Sequence, residues 1–194
     1  MLFRSNSYNV LTGVGRMYIA PVGTAFPDVD DAPSGSWIDL GDTQDGVDVD
    51  LNDKIELVHT DQRTGPVKAT RTEESMKVKT KLAEGTLENL AYALGVSVTD
   101  TAPGSGTIGT RSIPAYRGAE VAEYAILFRG GSPYGPYNAQ YQVPRAYFTL
   151  DALKYEKGKN LALPITIEAL EDLNAATASE RFGKLIAQDA AALP

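Results

Sequence analysis

The sequence predicts a mainly β fold, a β-sandwich or partial barrel with one short flanking α-helix and extended loop and terminal arms, on three observations. Apolar and polar residues alternate with a period of two in several separate stretches, the spacing of a strand with one buried and one wet face. A single stretch has helical spacing with a capping residue at either end. Clusters of Gly, Pro, Asp and Ser stand between the stretches and mark turns. Such strands with one helix bury their faces as packed layers.

In chain order, residues 1–14 form a polar N-terminal arm, and Arg16 to Val22 is a short strand stopped by Pro21 and Gly23. Pro27 to Ser36 is an acidic, turn-rich loop, and Trp37 to Leu40 a brief strand. A hairpin follows. Val47, Val49, Leu51, Ile55 and Leu57 alternate with Asp48, Asp50, Asn52, Lys54 and Glu56; Met76, Val78, Thr80 and Leu82 alternate with Lys77, Lys79 and Lys81. Matching the apolar faces sets Ile55 opposite Val78, Leu57 opposite Met76 and Glu56 beside Lys77, with opposite charges on the wet face. The loop between them, 59–72, exceeds the usual hairpin length of about 2 to 5 residues. It has charges of both signs and almost nothing to bury, so it reads as an arm reaching outside its own domain.

Thr86 and Gly95 cap the helix, and Leu87, Leu90, Ala91 and Leu94 line the face expected to pack on a sheet. Val96 to Arg117 is a connection with room for a short strand. Val121 to Arg129 is a strand with Tyr124, Ile126 and Phe128 on one side; the Gly- and Pro-rich loop from Gly130 to Asn138 follows, then a strand from Gln142 to Glu156. Leu161 to Leu170 is the last strand, and Pro164 places it at an edge or a bulge because proline cannot donate to the ladder. The C-terminal arm, 172–194, reads either as a weak helix around Phe182, Leu185 and Ile186 or as an ordered arm or frayed tail.

The 194 residues suffice for one domain with a real core. With no cysteine, neither a disulfide framework nor a thiolate metal site can form. No run approaches the about 20 apolar residues of a membrane helix, and Met1 to Asn9 has no secretory pattern. Formal net charge is −7, and from Asp28 to Glu56 a series of acids is opposed only by Lys54. Nucleic-acid binding needs the reverse, a basic stripe that displaces counterions from phosphates.

Motifs for chemistry fail on their surroundings. Gly104, Gly106 and Gly109 satisfy G-x-G-x-x-G but open no helix. Asp48, Asp50 and Asn52 begin like a calcium loop, yet Asp53 stands where glycine is required and His59 where glutamate should close it. His59 is the only histidine, and no G-x-S-x-G elbow surrounds a serine. The sequence singles out no carboxylate pair for glycoside hydrolysis. No enzyme and no cofactor are expected. Tyr134, Tyr137 and Tyr141 suit a sugar-binding face or a subunit interface.

The order of features nevertheless resembles a known family. The N-terminal arm leads to Gly15, Arg16, Met17, Tyr18, Ile19, Ala20 and Pro21, then to Trp37, Leu40, Gly41, Asp45, Gly46 and Val47. The long-looped hairpin and the helix from Thr86 to Gly95 come next, and Val143, Pro144, Arg145 and Ala146 precede Glu168 to Asp172 near the end. Across nearly its whole length the chain is similar to the major tail tube proteins of long-tailed bacteriophages. That resemblance implies a structural virion protein assembled in the host cytoplasm. Homohexameric rings would stack into a hollow tube through which DNA is ejected, with tape measure, tail terminator and tail tip proteins as further partners and no membrane. It also implies that the hairpin loop, with Asp61, Arg63, Lys68 and Arg71, joins one ring to the next. Asp48, Asp50 and Glu56 are the candidate lumen face; Lys77, Lys79 and Lys81 should share it, giving an alternating field with a negative bias that repels DNA over about 8 Å at physiological salt. The alternative is a monomeric β-sandwich module that recognises a glycan or host surface through the tyrosine loop.

Overall fold

The computed structural model describes residues 15–155, 157–158 and 161–191, so the expected N-terminal arm lies outside the described residues. The strands are β1 (Arg16–Pro21), β2 (Ile38–Asp39), β3 (Thr43–Val58), β4 (Lys68–Leu82), β5 (Thr99–Thr101), β6 (Thr110–Ser112), β7 (Glu123–Gly131), β8 (Asn138–Leu150), β9 (Leu163–Ala169) and β10 (Lys184–Ala187), with one helix, α1 (Leu87–Leu94). Eight of the strands form one antiparallel sheet in the order β2-β1-β7-β8-β9-β4-β3, with β10 also paired to β8; β5 and β6 make a small separate ribbon in the stretch read as a connection. The mainly β class with one short helix is the observed one.

The core occupies both faces of the sheet, but at different places. On one face Met17 and Ile19, Ile126, Phe148, Ile165 and Val78 converge from five strands under Leu40 and Ala93. On the other, Ala20, Ala125 and Leu127 pack under Trp37 and Phe26, whose rings are 5.2 Å apart. Strand β7 is therefore buried on both sides, whereas its alternation suggested one apolar side carried by Tyr124, Ile126 and Phe128. Ala125 and Leu127 fill the second side, so the apolar run from Tyr124 to Phe128 serves two faces and not one.

The helix caps act as expected: Thr86 accepts from the Asn89 amide at 3.2 Å, and Gly95 closes the helix at φ 67°. The buried face differs. It is made by Asn89, Ala91 and Ala93 with Leu90 half-buried beside them, while Leu87 and Leu94 are only partly covered. The Asn89 side-chain amide donates to the Leu40 and Glu84 carbonyls at 3.0 Å each, so this polar residue fastens the helix to the strand ends beneath it.

Four further expectations are corrected. In the hairpin, Val49 lies opposite Val78, Leu51 opposite Met76 and Asp50 beside Lys77; Ile55 pairs with Arg71, Leu57 with Ala69 and Glu56 with Thr70. Period two sets which residues share a face but leaves any even slip open. β4 also begins at Lys68, so residues 68–72 of the expected loop are strand and only 59–67 turn. Pro164 sits in β9, an inner strand between β8 and β4. Its carbonyl accepts from Asp151, just past the end of β8, so its missing N–H faces no β8 partner. Finally, the C-terminal segment forms no α-helix. After a 3-10 turn at Ala178–Glu180 it becomes β10. Gly183 permits this, with φ 113° and a backbone so close to β8 that a Cβ would overlap the Gln142 carbonyl oxygen.

Candidate assembly surfaces

The hairpin has two regimes. β4 is hydrogen-bonded to β9 from Lys77 to Leu82; from Lys68 to Met76 its only sheet neighbour among the described residues is β3. This outer half projects beyond the sheet as a two-stranded arm. Val47 and Val49 near its root pack on the core. Leu51, Ile55 and Leu57, which continue the same face, are 75%, 53% and 55% exposed, and Val58 and Val67 are exposed near the tip. The described residues leave this face exposed, and Asp53, tied to Arg71 opposite Ile55, interrupts its apolar run; exposed apolar patches are a mark of interaction surfaces.

Local chemistry shapes the arm. One extra β4 residue, Thr72, makes a bulge between Lys54 and Ile55, and its hydroxyl donates to the Lys54 carbonyl at 3.2 Å. Arg71 Nε binds Asp53 at 2.9 Å and Nη1 binds Glu74 at 2.7 Å, both of which raise the guanidinium pKa. Lys54 meets Glu73 at 3.2 Å. Of the residues predicted for contact, Asp61 and Arg63 are in the exposed tip and Lys68 opposes Val58 at its edge, but Arg71 is engaged within the arm. At the arm's root, Leu51 and Met76 line a groove of about 410 Å³ together with Ser179 and Phe182 of the C-terminal segment.

Asp48, Asp50 and Glu56 share the opposite face of β3, as the alternation requires. Glu56 lies out on the arm, past the bulge, and so stands apart from the two aspartates. Register carries this face across the sheet: Asp50, Lys77, Glu168, Tyr147 and Glu123 form one row over five strands. Its cations are paired. Lys77 reaches Glu168 at 3.2 Å, Lys79 reaches Asp50 at 2.8 Å and Lys81 reaches Asp45 at 2.8 Å. Arg145 grips Glu123 with two bonds of 2.6 and 2.9 Å. The Arg145 bond lowers the Glu123 pKa, and the bond to Asp50, with that carboxylate's charge, raises that of Lys79. Burial, then the contact with Glu168, raises that of Tyr147.

Sequence reasoning found the acidic loop from Pro27 to Ser36 but missed what holds it. The Arg129 guanidinium donates to the Val29 and Asp30 carbonyls at 3.1 and 3.2 Å and also to Asp31 O, while Gln140, fully buried, donates to Asp28 O at 3.0 Å. The loop is held by its main chain, leaving Asp28, Asp30 and Asp31 exposed. A clasp made of carbonyls has no side-chain pattern to reveal it.

The other candidates disperse. Tyr134 is exposed, Tyr137 half-buried, and Tyr141 lies in β8 against Phe128 with ring centroids 6.2 Å apart, so the three do not form one platform. Gly104, Gly106 and Gly109 lie between β5 and β6. His59 is exposed in the arm tip. Among the described residues no three His, Cys, Asp or Glu side chains converge as a metal site, and no helix is long and apolar enough to cross a membrane.

A β domain whose distinctive surfaces are an apolar arm and a broad ion-paired face belongs to the class of structural assembly proteins. Residues 4–192 match the family model for phage tail tube proteins, and the chain belongs to that family: it is a structural component of a bacteriophage tail, not an enzyme. No curated protein matches the chain.

Proposed function

We propose that the protein forms homohexameric rings that stack into the hollow tube of the phage tail and conduct DNA during ejection, with tape measure, terminator and tip proteins as its other partners. Assembly takes place in the host cytoplasm. The observation that carries this reading is the arm: a two-stranded, ion-paired extension on which Leu51, Ile55 and Leu57 are left exposed by the described residues. The tip with Asp61, Arg63 and Lys68 then meets the adjacent ring. A contact between two different surfaces of identical subunits propagates as an open stack and does not close on itself. The face with Asp48 and Asp50 is the one assigned to the lumen.

The test is negative-stain microscopy of protein in which residues 59–67 are replaced by a two-residue turn. The expected outcome is a folded protein, with unchanged circular dichroism, that forms no long tubes. Tubes of normal length would remove the arm from ring-to-ring contact.

A further inference from the structure

The sheet face that the described residues leave uncovered has the makings of a DNA-binding stripe. Lys77, Lys79 and Lys81 point the same way from one strand and are spaced by about 7 Å, close to twice the 3.4 Å axial rise between phosphates of one DNA strand. Arg145 extends the basic set two strands further. Yet each of the four has its own carboxylate, at 3.2 Å for Lys77, 2.8 Å for Lys79 and Lys81, and 2.6 Å for Arg145. Those carboxylates come from β3, β9 and β7, so the pairing is a product of strand order. With Asp48 as the surplus acid, the face is close to neutral and finely alternating.

We propose that Asp45, Asp50, Glu168 and Glu123 mask these cations, so that a polyanion passes along the face without being held. The inference rests on the reading of the protein as a DNA conduit and deepens it: adhesion is prevented by local pairing of cations and not by excess negative charge alone. The physical reason is range. Alternating charges a few ångströms apart cancel within a distance comparable to their spacing, whereas an unpaired ammonium releases counterions and grips a phosphate.

The experiment compares two purified variants with the same change in net charge. Asp50→Asn with Glu168→Gln unmasks Lys79 and Lys77. Asp28→Asn with Asp31→Asn removes two exposed carboxylates that pair with no cation among the described residues. Fluorescence anisotropy with a duplex of about 20 base pairs, over about 20 to 150 mM salt, reads the binding. Unmasking should tighten binding at least about tenfold at low salt, and the gain should fade as salt rises; the control should match the unmodified protein. Equal binding by both variants would overturn the proposal in favour of net charge, and no gain on unmasking would overturn it outright. If the first variant is unfolded by circular dichroism, Asp45→Asn with Asp50→Asn unmasks Lys81 and Lys79 instead. Phage carrying the unmasked protein should eject DNA more slowly. Tight binding in solution with ejection at the normal rate would leave the masking intact and overturn the assignment of this face to the lumen.

Discussion

The inner and outer halves of the β3–β4 hairpin follow one alternating pattern and meet different ends. Val47, Val49 and Val78 at the root are covered by the core, whereas Leu51, Ile55 and Leu57 further out stand in solvent. What separates them is β9, which accompanies β4 as far as Lys77 and no further. Alternation establishes that a strand has an apolar face. The layer that covers that face is supplied by other strands, or by another copy of the chain.

The largest expected effect comes from placing a charge on each half. Val78→Asp, at a position 6% exposed, should cost roughly 3 kcal/mol or more of folding stability, because the carboxylate enters the core without a partner. Leu57→Asp should change stability by no more than about 0.5 kcal/mol while abolishing tubes seen by microscopy. Thermal unfolding and negative stain on the two variants measure the contrast. Comparable losses of melting temperature would mean that the arm packs on its own body and is no separate contact surface.

An intermediate effect is expected where the helix meets the sheet. Asn89→Ala leaves the Leu40 and Glu84 carbonyls without their donor and should cost about 1 to 3 kcal/mol, read by denaturant unfolding. It should leave the arm's ability to join rings untouched at temperatures where the variant stays folded. Loss of tubes by a fully folded Asn89→Ala protein would show that body and arm are coupled.

The smallest effect is electrostatic and belongs to the body. Arg145 holds the Glu123 pKa below its ordinary value of 4.5. For a carboxylate with a lowered folded-state pKa, the contribution to stability is complete above the unfolded value and is lost as pH falls through the folded one. Unfolding measured from pH 6 down to pH 3 should therefore show the Arg145→Ala protein slightly less stable at the upper end, with the gap narrowing below about pH 4. A gap that stays constant with pH would assign the Arg145 contribution to packing of its stem.

Much of the fold was legible in the chain. Local chemistry is local information: Thr86 and Gly95 cap the helix by hydrogen bonding and backbone freedom that need no tertiary partner, and alternation sorted Asp48 and Asp50 from Val47 and Val49 because a strand's pleat has a period of two. Register was not legible. Residues 68–75 carry no apolar signal, yet they form strand through main-chain bonds that any side chain allows, and this moved every cross-strand partner of the outer arm. Nor could sequence show that Arg71 is tied to Asp53 and Glu74, that Asn89 faces inward, or that Lys184 to Ala187 returns to β8 as a strand, since each depends on which segments become neighbours. The sequence by itself determined the alternating face of β3 and of the inner half of β4, the helix, the surplus of acids and the resemblance to tail tube proteins. The tertiary structure alone decided which lysine meets which carboxylate and which leucines stay uncovered, because both are set by strand order and by where β9 ends, properties of contacts between residues as far apart as Lys77 and Glu168.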